Sequence, residues 1–337
     1  MSYKKEKVTW ANYAFRYATI TAAHPFEYSK LLIQLGHEPI APWPTKTLFG
    51  RPALALPSVF QYVGYIKNID GFSGCYRGLS LKLCDCLSSS LTFQYIREGW
   101  QFSWEKKTNR YTRTYGDIHI NGDEGVGDED EEESEEEELL SEKEERERFL
   151  ACLSRDVVGR TVAVVVSHPL HVMAVRTMAQ FVGGETIYSG LFGSIQALYR
   201  ESGITGFFSG VVPRLIGELL ALIIGSTATF ALNTYVIEDP EIKTYTNGIV
   251  SFLATTVTYP FHVVSNCMAV TNCGLAAGSP PCMLHYTSWT DCWSHLSRTG
   301  QLKRGSSLLW RYYTGPQVMI GGRPVPVTPD QLVSKQN

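Results

Sequence analysis

The sequence predicts an all-α membrane protein built from a threefold internal repeat of kinked transmembrane helices. Three short stretches mark the repeat: His-Pro-Phe-Glu-Tyr-Ser-Lys at 24–30, Ser-His-Pro-Leu-His-Val at 167–172 and Thr-Tyr-Pro-Phe-His-Val at 258–263. Each places a proline inside an otherwise helical pattern, where proline removes a backbone donor and bends the helix. The predicted helix kinks are therefore Pro25, Pro169 and Pro260.

Five segments have the length of a transmembrane helix if one polar stripe on each faces protein or water. They lie at about 8–35, 80–100, 151–180, 212–237 and 244–272. The polar residues recur at spacings of three, four, seven or eleven, which places them on one helical face. In chain order the stripes include Glu27, Lys30 and Gln34; Lys82 and Asp85; Arg160 and His171; Arg214 and Glu218; and His262 and Asn266.

A soluble all-helical protein with solvated stripes is the alternative interpretation. The opposite faces argue against it, because Val162–Val166, Leu215–Ile224 and Ile249–Leu253 are too apolar for ordinary surface helices. Tyrosine and tryptophan also cluster near the segment ends, as in an interfacial aromatic belt. The membrane interpretation is therefore favoured.

Shorter amphipathic helices are predicted between the long ones, at Val59–Ile69, Leu191–Glu201 and Ser288–Arg298. Each leads into a glycine-bearing turn, so the internal unit is kinked helix, loop, surface helix, glycine turn and helix. The predicted domains are repeat 1 at 1–104, an acidic loop at 105–148, repeat 2 at 149–240, a truncated repeat 3 at 241–315 and a flexible tail at 316–337.

The acidic loop explains the formal net charge of -3. Residues 123–148 hold 16 of the 33 acidic residues but only three of the 30 basic ones, so the rest of the chain is basic. High charge with almost no apolar periodicity predicts that 105–148 is disordered.

The eight cysteines include no Cys-x-x-Cys pair, and their scatter through apolar segments predicts free thiols in a reducing compartment. The N-terminal Met-Ser-Tyr-Lys-Lys-Glu-Lys does not lead into the apolar core of a signal peptide. Membrane targeting is therefore expected to lie in the helices themselves.

Several motifs resemble those of the mitochondrial solute carrier fold. They are Pro25-Phe-Glu27-Tyr-Ser-Lys30, Asp70-Gly71 with Tyr76-Arg77-Gly78, and Gly210-Val-Val-Pro213-Arg214. The runs Ser167-His-Pro-Leu-His-Val, Asn272-Cys-Gly-Leu-Ala and 286–293 are more similar to the mitochondrial carrier homologue family, a divergent branch of that superfamily. The resemblance covers about 8–315 apart from the acidic loop. It implies a multi-pass protein of the mitochondrial outer membrane with a role in inserting helical membrane proteins there.

The chain departs from the carrier pattern at the charged positions of the repeat. The resemblance implies a pattern of ion pairs. In a carrier, the acidic residue of each repeat pairs with a basic residue of the next repeat, and the three pairs form a ring. Glu27 and Lys30 fit this pattern, but repeat 2 has His171 and Ala174 at the corresponding positions, and repeat 3 has His262 and Ser265. Solute exchange by alternating access is therefore disfavoured.

A second departure concerns the sixth helix, which is expected after Gly315. Residues 316–337 contain four prolines and Gly321-Gly322, so the sequence predicts five spans with the sixth missing. Such a ring is expected to leave a hydrophilic groove open sideways to lipid. A groove of this kind lowers the cost of moving charged residues across a bilayer, about 2.5–3.5 kcal/mol for each.

The predicted function is accordingly a membrane insertase for tail-anchored and other helical proteins. Its expected partners are the lipid bilayer, helical membrane-protein clients and cytosolic regulatory proteins, with no nucleic acid. Three alternatives stay open: a docking receptor for cytosolic proteins, including apoptotic ones, a lipid scramblase, and a solute transporter. No nucleotide-binding, nucleophile or metal-ligand motif is present in the sequence, so neither an enzyme nor a cofactor is predicted.

Lys30 and Glu218 are the most informative groove candidates, because each is a charge within a mostly apolar segment. The other candidates for the groove or client path are Glu27, Arg214, Asp85, Lys82, Arg176, His171 and His262. An alternative is that Glu27 with Lys30, and Arg214 with Glu218, form local helix pairs. The histidines, including His168, are expected to be hydrogen-bonded core residues, since their spacing supports no metal site.

Overall fold

The computed structural model describes residues 10–47, 50–116, 132–237, 239–280, 282–313, 315, 317–320 and 323–326. The helices are α1 (Trp10–Leu35), α2 (Val59–Gly74), α3 (Leu79–Gly116), α4 (Glu132–Ala179), α5 (Gly190–Gly206), α6 (Val211–Tyr235), α7 (Pro240–Val270) and α8 (Trp289–Arg298), with a short 3-10 helix at Ala276–Gly278. The strands are β1 (Trp43–Lys46), β2 (Pro52–Leu56), β3 (Arg311–Tyr312), β4 (Gln317–Ile320) and β5 (Arg323–Pro326). The predicted all-α class is confirmed, with small strands added to it.

The order of the helices follows the predicted repeat. Long, short and long helices succeed one another as α1–α2–α3 and as α4–α5–α6, and the third repeat contributes α7 and α8. Pro25, Pro169 and Pro260 lie inside α1, α4 and α7, as the sequence predicts. Within the described residues 299–313, no helix follows α8.

Length and hydropathy alone qualify two helices of the described chain to cross a membrane, at Val211–Tyr235 and Tyr245–Val270. The long helices α1, α3 and α4 carry more charged and polar residues, which lower their hydropathy. The count of five spans therefore stays a prediction.

One compact unit comprises 1–86, 167–217 and 258–337. Its core joins the C-terminal half of α1, the C-terminal ends of α4 and α7, and the surface helices α2, α5 and α8. Ser58 and Gln61 form a capping box that starts α2, because each side chain accepts a hydrogen bond from the other's backbone N–H. The largest fully buried apolar and aromatic side chains of this core include Tyr28, Leu32, Ile33, Tyr62, Ile66, Tyr188, Leu198 and Leu275.

The third repeat keeps the glycine turn of the other two. Gly78, Gly210 and Gly305 follow α2, α5 and α8 and have φ of 79°, 79° and 78°, a conformation that favours glycine. After Gly78 and Gly210 the chain enters α3 and α6. After Gly305 it instead runs back to the first repeat, where the Val59 N–H donates to the Leu308 carbonyl at 3.0 Å.

A three-stranded sheet completes this return. Strands β1 and β2 form an antiparallel hairpin, and β3 pairs with β2 so that Arg311 lies opposite Leu56. The Arg311 guanidinium also donates to the Pro57 carbonyl at 2.8 Å and pairs with Glu38. The end of the third repeat is thus fixed to the loop between α1 and α2.

The second compact unit comprises 87–166 and 218–257. Its packing is close, because the Phe149 and Phe230 rings stack with centroids 4.3 Å apart and a Cβ on Gly159 would lie 3.2 Å from the Phe93 ring. Many of its apolar side chains are nevertheless exposed, and a hydrocarbon solvent accounts for them better than water does. Exposed examples are Val166, Ile249, Phe252, Leu253 and Val257.

The structure differs from the prediction made from the sequence in the acidic segment and in the C-terminal tail. Helix α3 continues to Gly116 and α4 begins at Glu132, so 105–116 and 132–148 are helical rather than disordered. Glutamate, lysine and arginine are good helix formers, and Glu142–Arg146 and Glu144–Arg148 have the spacing of helix-stabilising pairs.

Strands β4 and β5 form a hairpin within the predicted flexible tail, since alternating valines and prolines favour extended backbone. Residues 117–131 and 327–337 lie outside the described chain.

Candidate functional site

A cavity of about 200 Å³ lies in the first unit among α1, α3, α4 and α7. Its lining is mixed: charged and polar side chains face it together with Leu31, Ala174, Val175 and Met178. Four of the predicted groove residues line it, namely Glu27, Lys30, Lys82 and His171, along with His24, Gln34 and Asn266.

The cavity carries an excess of positive charge. The Lys82 Nζ lies 3.7 Å from the Glu27 carboxylate, and both side chains are partly exposed, so solvent weakens the pair. Within the described chain Lys30 has no carboxylate oxygen within 4 Å, and its Nζ lies 4.8 Å from the centroid of the Tyr259 ring. The local ion pair of Glu27 with Lys30, which was the alternative interpretation, is therefore not formed, and the Lys30 ammonium lies over an aromatic face.

An amide and hydroxyl chain takes the place of the carrier-type ion pairs. The Asn266 amide donates to the Gln34 side-chain oxygen at 2.7 Å, so the Asn266 oxygen accepts from the His171 Nε2 at 3.2 Å. The Gln34 amide donates in turn to the Tyr259 hydroxyl at 2.7 Å. This chain joins helices of all three repeats without an ion pair.

The residue before each proline forms a second threefold pattern. His24 and His168 each place Nε2 3.0 Å from a turn carbonyl, those of Arg77 and Ser209, and the Tyr259 hydroxyl donates to the Arg304 carbonyl at 3.0 Å. Each carbonyl belongs to the residue just before a turn glycine. Every proline-containing helix is therefore bonded to the glycine turn of its own repeat.

The glycine turns also connect each repeat to the next. A Cβ on Gly78 would lie 3.3 Å from the Ala174 carbonyl oxygen, and one on Gly210 would lie 2.5 Å from that of Ser265. A Cβ on Gly305 would lie 3.3 Å from the Gln34 side chain in the first repeat. Contacts from repeat 1 to 2, 2 to 3 and 3 to 1 therefore close the first unit without the ion pairs.

Asp85 and Arg214 form a buried pair next to the cavity. The Arg214 Nη2 donates to the Asp85 carboxylate at 3.3 Å, and Nη1 lies 3.4 Å from the Nδ1 of His168. His171 Nδ1 lies 3.8 Å from the other Asp85 oxygen. Arg214 thus pairs across helices with Asp85 and not with Glu218, which was the local alternative.

Glu218 belongs to the second unit, where Arg160 holds it. The Nη2 and Nε of Arg160 donate to one Glu218 oxygen at 2.7 and 3.1 Å. Glu218 does not line the cavity around Lys30. The structure therefore places the two favoured groove residues in different settings, one unpaired cation and one paired carboxylate.

Arg176 and His262 do not line the cavity either. Arg176 is fully buried and donates to the Ala269 carbonyl, to the Tyr188 hydroxyl and to Glu201 at 2.9, 3.0 and 3.3 Å. His262 packs where α6 and α7 approach closely, with Nε2 3.8 Å from the position of a Cβ on Gly217. In the described chain no group of three or more histidine, cysteine or acidic side chains could hold a metal ion.

The expected hydrogen bonding of His168 is confirmed, but the sequence does not predict that all three pre-proline residues bond to the glycine turns. Their signal is present: His24, His168 and Tyr259 are all polar rings directly before the repeated proline. Gln34 and Asn266 lie on the predicted polar stripes, but their contact joins positions far apart in the chain, so no local spacing predicts it.

Comparisons with known proteins identify relatives over most of the chain. The profile of the family described as "Mitochondrial carrier protein" matches residues 145–238. The chain is 37% identical over 294 residues to "Mitochondrial carrier homolog 2" of Homo sapiens, covering 86% of this chain and 89% of that protein. It is 35% identical over 317 residues to "Mitochondrial carrier homolog 1" of Mus musculus, covering 87% and 74%. A shorter match of 30% identity, covering 33% of this chain, is to "Solute carrier family 25 member 16" of Mus musculus.

Proposed function

Because the chain belongs to the mitochondrial carrier homologue family within the mitochondrial carrier superfamily, we propose that it inserts helical membrane proteins into the mitochondrial outer membrane. The family makes it a mitochondrial membrane protein. The outer membrane, the multi-pass arrangement and the tail-anchored clients belong to the proposal.

One observation carries the proposal. The third repeat retains its Gly305 turn, but the described residues 306–313, 315, 317–320 and 323–326 form strands and turns where repeats 1 and 2 have a long helix. In the described residues the third repeat therefore supplies one long helix, α7, where repeats 1 and 2 supply two each. The proposal is that the position of the second helix is open to lipid and that a client helix leaves there for the bilayer.

The same site disfavours solute exchange. Alternating access requires gates that open and close, and exposed ion pairs suit this because water and substrate compete with them readily. Here the three repeats are joined by the hydrogen bonds of Asn266 to Gln34 and to His171 and by tight glycine contacts. Close-packed contacts of this kind oppose the small rotations that opening a gate requires.

The cavity suits the polar flank of a client. A volume of about 200 Å³ has room for a few side chains but not for a helix. The apolar part of a client would then stay on the lipid side while its polar end passes the cavity. Each charged residue left in hydrocarbon costs about 2.5–3.5 kcal/mol, so a polar contact along the path lowers the barrier.

The ammonium of Lys30, which has no carboxylate within 4 Å in the described chain, predicts selectivity for the charge of that flank. An acidic tail is attracted and a basic tail is repelled, at about 1 kcal/mol or somewhat more for a partly solvated pair, which is roughly fivefold. We therefore expect the wild-type chain to insert a client with an acidic tail faster than the same client with a basic tail. The Lys30→Glu variant should reverse this order.

The measurement is protease protection of two tail-anchored clients that differ only in tail charge, in mitochondria containing each variant at equal amounts. Lys30→Arg keeps the charge and should keep the wild-type order. Lys67→Glu, a charge change at an exposed position outside the cavity, serves as the matched control. Identical client ratios for wild type and Lys30→Glu would remove the cavity from the client path.

A further inference from the structure

We propose that Cys267 and Cys292 form a peroxide-sensitive dithiol, which oxidation converts into a disulfide between α7 and α8. Both are free thiols, and both side chains are 0% exposed. Cys267 lies in the last turn of α7 and Cys292 in the first half of α8, and the two thiols share a hydrogen bond. Two sulfurs in this contact need only a small approach to reach the length of a disulfide bond.

The guanidinium of Arg304 distinguishes the two cysteines. Its Nη2 donates to the Cys267 sulfur at 3.1 Å, and the same guanidinium is held in place by hydrogen bonds to the Gln34 carbonyl and the Gln301 side chain. A hydrogen bond from a cation is stronger to a thiolate than to a neutral thiol, and the thiolate is the nucleophile of cysteine chemistry. The geometry therefore makes Cys267 the attacking sulfur and Cys292 the resolving one.

A cavity gives a small oxidant access to this buried pair. The cavity has a volume of about 460 Å³, and Arg304 forms part of its wall. Because Arg304 also contacts the Cys267 sulfur, one long side chain separates the thiol from the cavity. A single water needs about 10–15 Å³ of such space, so hydrogen peroxide, which is only slightly larger, has ample room there. A bulky thiol reagent does not pass the same contact.

The oxidation proceeds in two steps with one hydroperoxide as the oxidant. The Cys267 thiolate attacks a peroxide oxygen, an S–O bond forms, the O–O bond breaks, and the hydroxide that leaves takes up the proton that Cys267 had released. The Cys292 sulfur then attacks the sulfenic sulfur of Cys267, an S–S bond forms, and the S–O bond breaks as the thiol proton leaves with the oxygen in water. The sum is two thiols and one hydrogen peroxide giving one disulfide and two waters, with two electrons passing to the peroxide.

The disulfide closes the chain between 267 and 292, which contains the 3-10 helix Ala276–Gly278. A crosslink of this kind restricts the unfolded chain and so favours the folded state. We expect the oxidised wild-type protein to unfold several degrees above the reduced one, and dithiothreitol to reverse the increase.

The test is peptide mapping by mass spectrometry of the purified full chain in detergent, after hydrogen peroxide treatment and alkylation of the remaining thiols. We expect a Cys267–Cys292 disulfide in the wild type. The Cys292→Ser variant should instead accumulate a sulfenic acid on Cys267, which dimedone captures. Arg304→Gln should slow the oxidation about tenfold, the usual scale of one charge-assisted hydrogen bond. Cys282→Ser is the matched control, because Cys282 lines the same cavity and is half-buried, and it should oxidise as the wild type does.

Each outcome decides the proposal. A pair that stays reduced while peroxide oxidises the exposed Cys84 and Cys152 would overturn it. Dimedone capture on Cys292 in a Cys267→Ser variant, at the rate seen for Cys267 in Cys292→Ser, would overturn the assignment of the attacking sulfur. Wild-type oxidation rates in Arg304→Gln, with far-UV circular dichroism matched to wild type, would overturn the role of the guanidinium.

Discussion

Replacing Arg176 by methionine is expected to destabilise the chain by about 3–5 kcal/mol, the usual cost of breaking a buried ion pair from one side. Arg176 is 0% exposed, and its guanidinium joins three elements through the Ala269 carbonyl, the Tyr188 hydroxyl and Glu201. Methionine fills a similar volume but donates no hydrogen bond, so a buried carbonyl, a buried hydroxyl and a carboxylate lose their donor.

The measurement is thermal unfolding of purified variants in one detergent, followed by tryptophan fluorescence. Arg200→Met removes an exposed arginine of α5, close in sequence to Glu201, and is the matched control with an expected change near zero. The double variant Arg176→Met with Glu201→Gln should recover part of the loss, because the uncompensated carboxylate is removed. Melting of Arg176→Met at the wild-type temperature would show that the cluster contributes nothing to stability.

Replacing Asp85 by alanine should be nearly as severe, at about 3 kcal/mol. The Asp85 side chain is 5% exposed and that of Arg214 is 11% exposed, so the variant leaves the arginine charge in a site closed to water. Asp85→Asn retains an acceptor of the same shape and should cost less. Adding Arg214→Gln to Asp85→Asn should restore stability further, since no charge then remains uncompensated.

Glu27→Ala is the matched control for Asp85→Ala under the same unfolding conditions. Its carboxylate is 48% exposed and lies 3.7 Å from the Lys82 Nζ, so its loss should change the melting temperature little. A Glu27→Ala variant that melts as low as Asp85→Ala would contradict the distinction between a solvated pair and a buried one.

The repeat was predictable from sequence because its signals are local. Prolines inside helical patterns, glycine turns and amphipathic surface helices each depend on a few neighbouring residues, and all three appear where expected. The partners of the charged residues were not predictable in this way. Arg214 lies four residues before Glu218, a spacing that suggests a local pair. In the structure, Arg214 instead pairs with Asp85, and Glu218 pairs with Arg160.

The path of the chain after the third repeat could be predicted only in part. The glycines and prolines after 315 predict that no helix forms there. They do not reveal that β3 pairs with β2, because the β1–β2 hairpin has short strands with a proline in each and lacks the apolar alternation that marks a strand. The hydrogen bond from Arg304 to the Gln34 carbonyl could not be predicted for the same reason, since the two residues are 270 positions apart in the chain.

The central claim is insertion of helical clients by this chain alone, and reconstitution tests it most directly. The purified chain in liposomes would receive a soluble tail-anchored client, and the protease-protected client helix would be counted against protein-free liposomes. The account predicts several-fold more protected client with the wild-type chain, and a reversed preference for tail charge with Lys30→Glu. Insertion no greater than in protein-free liposomes, by a chain whose circular dichroism shows it folded, would contradict it.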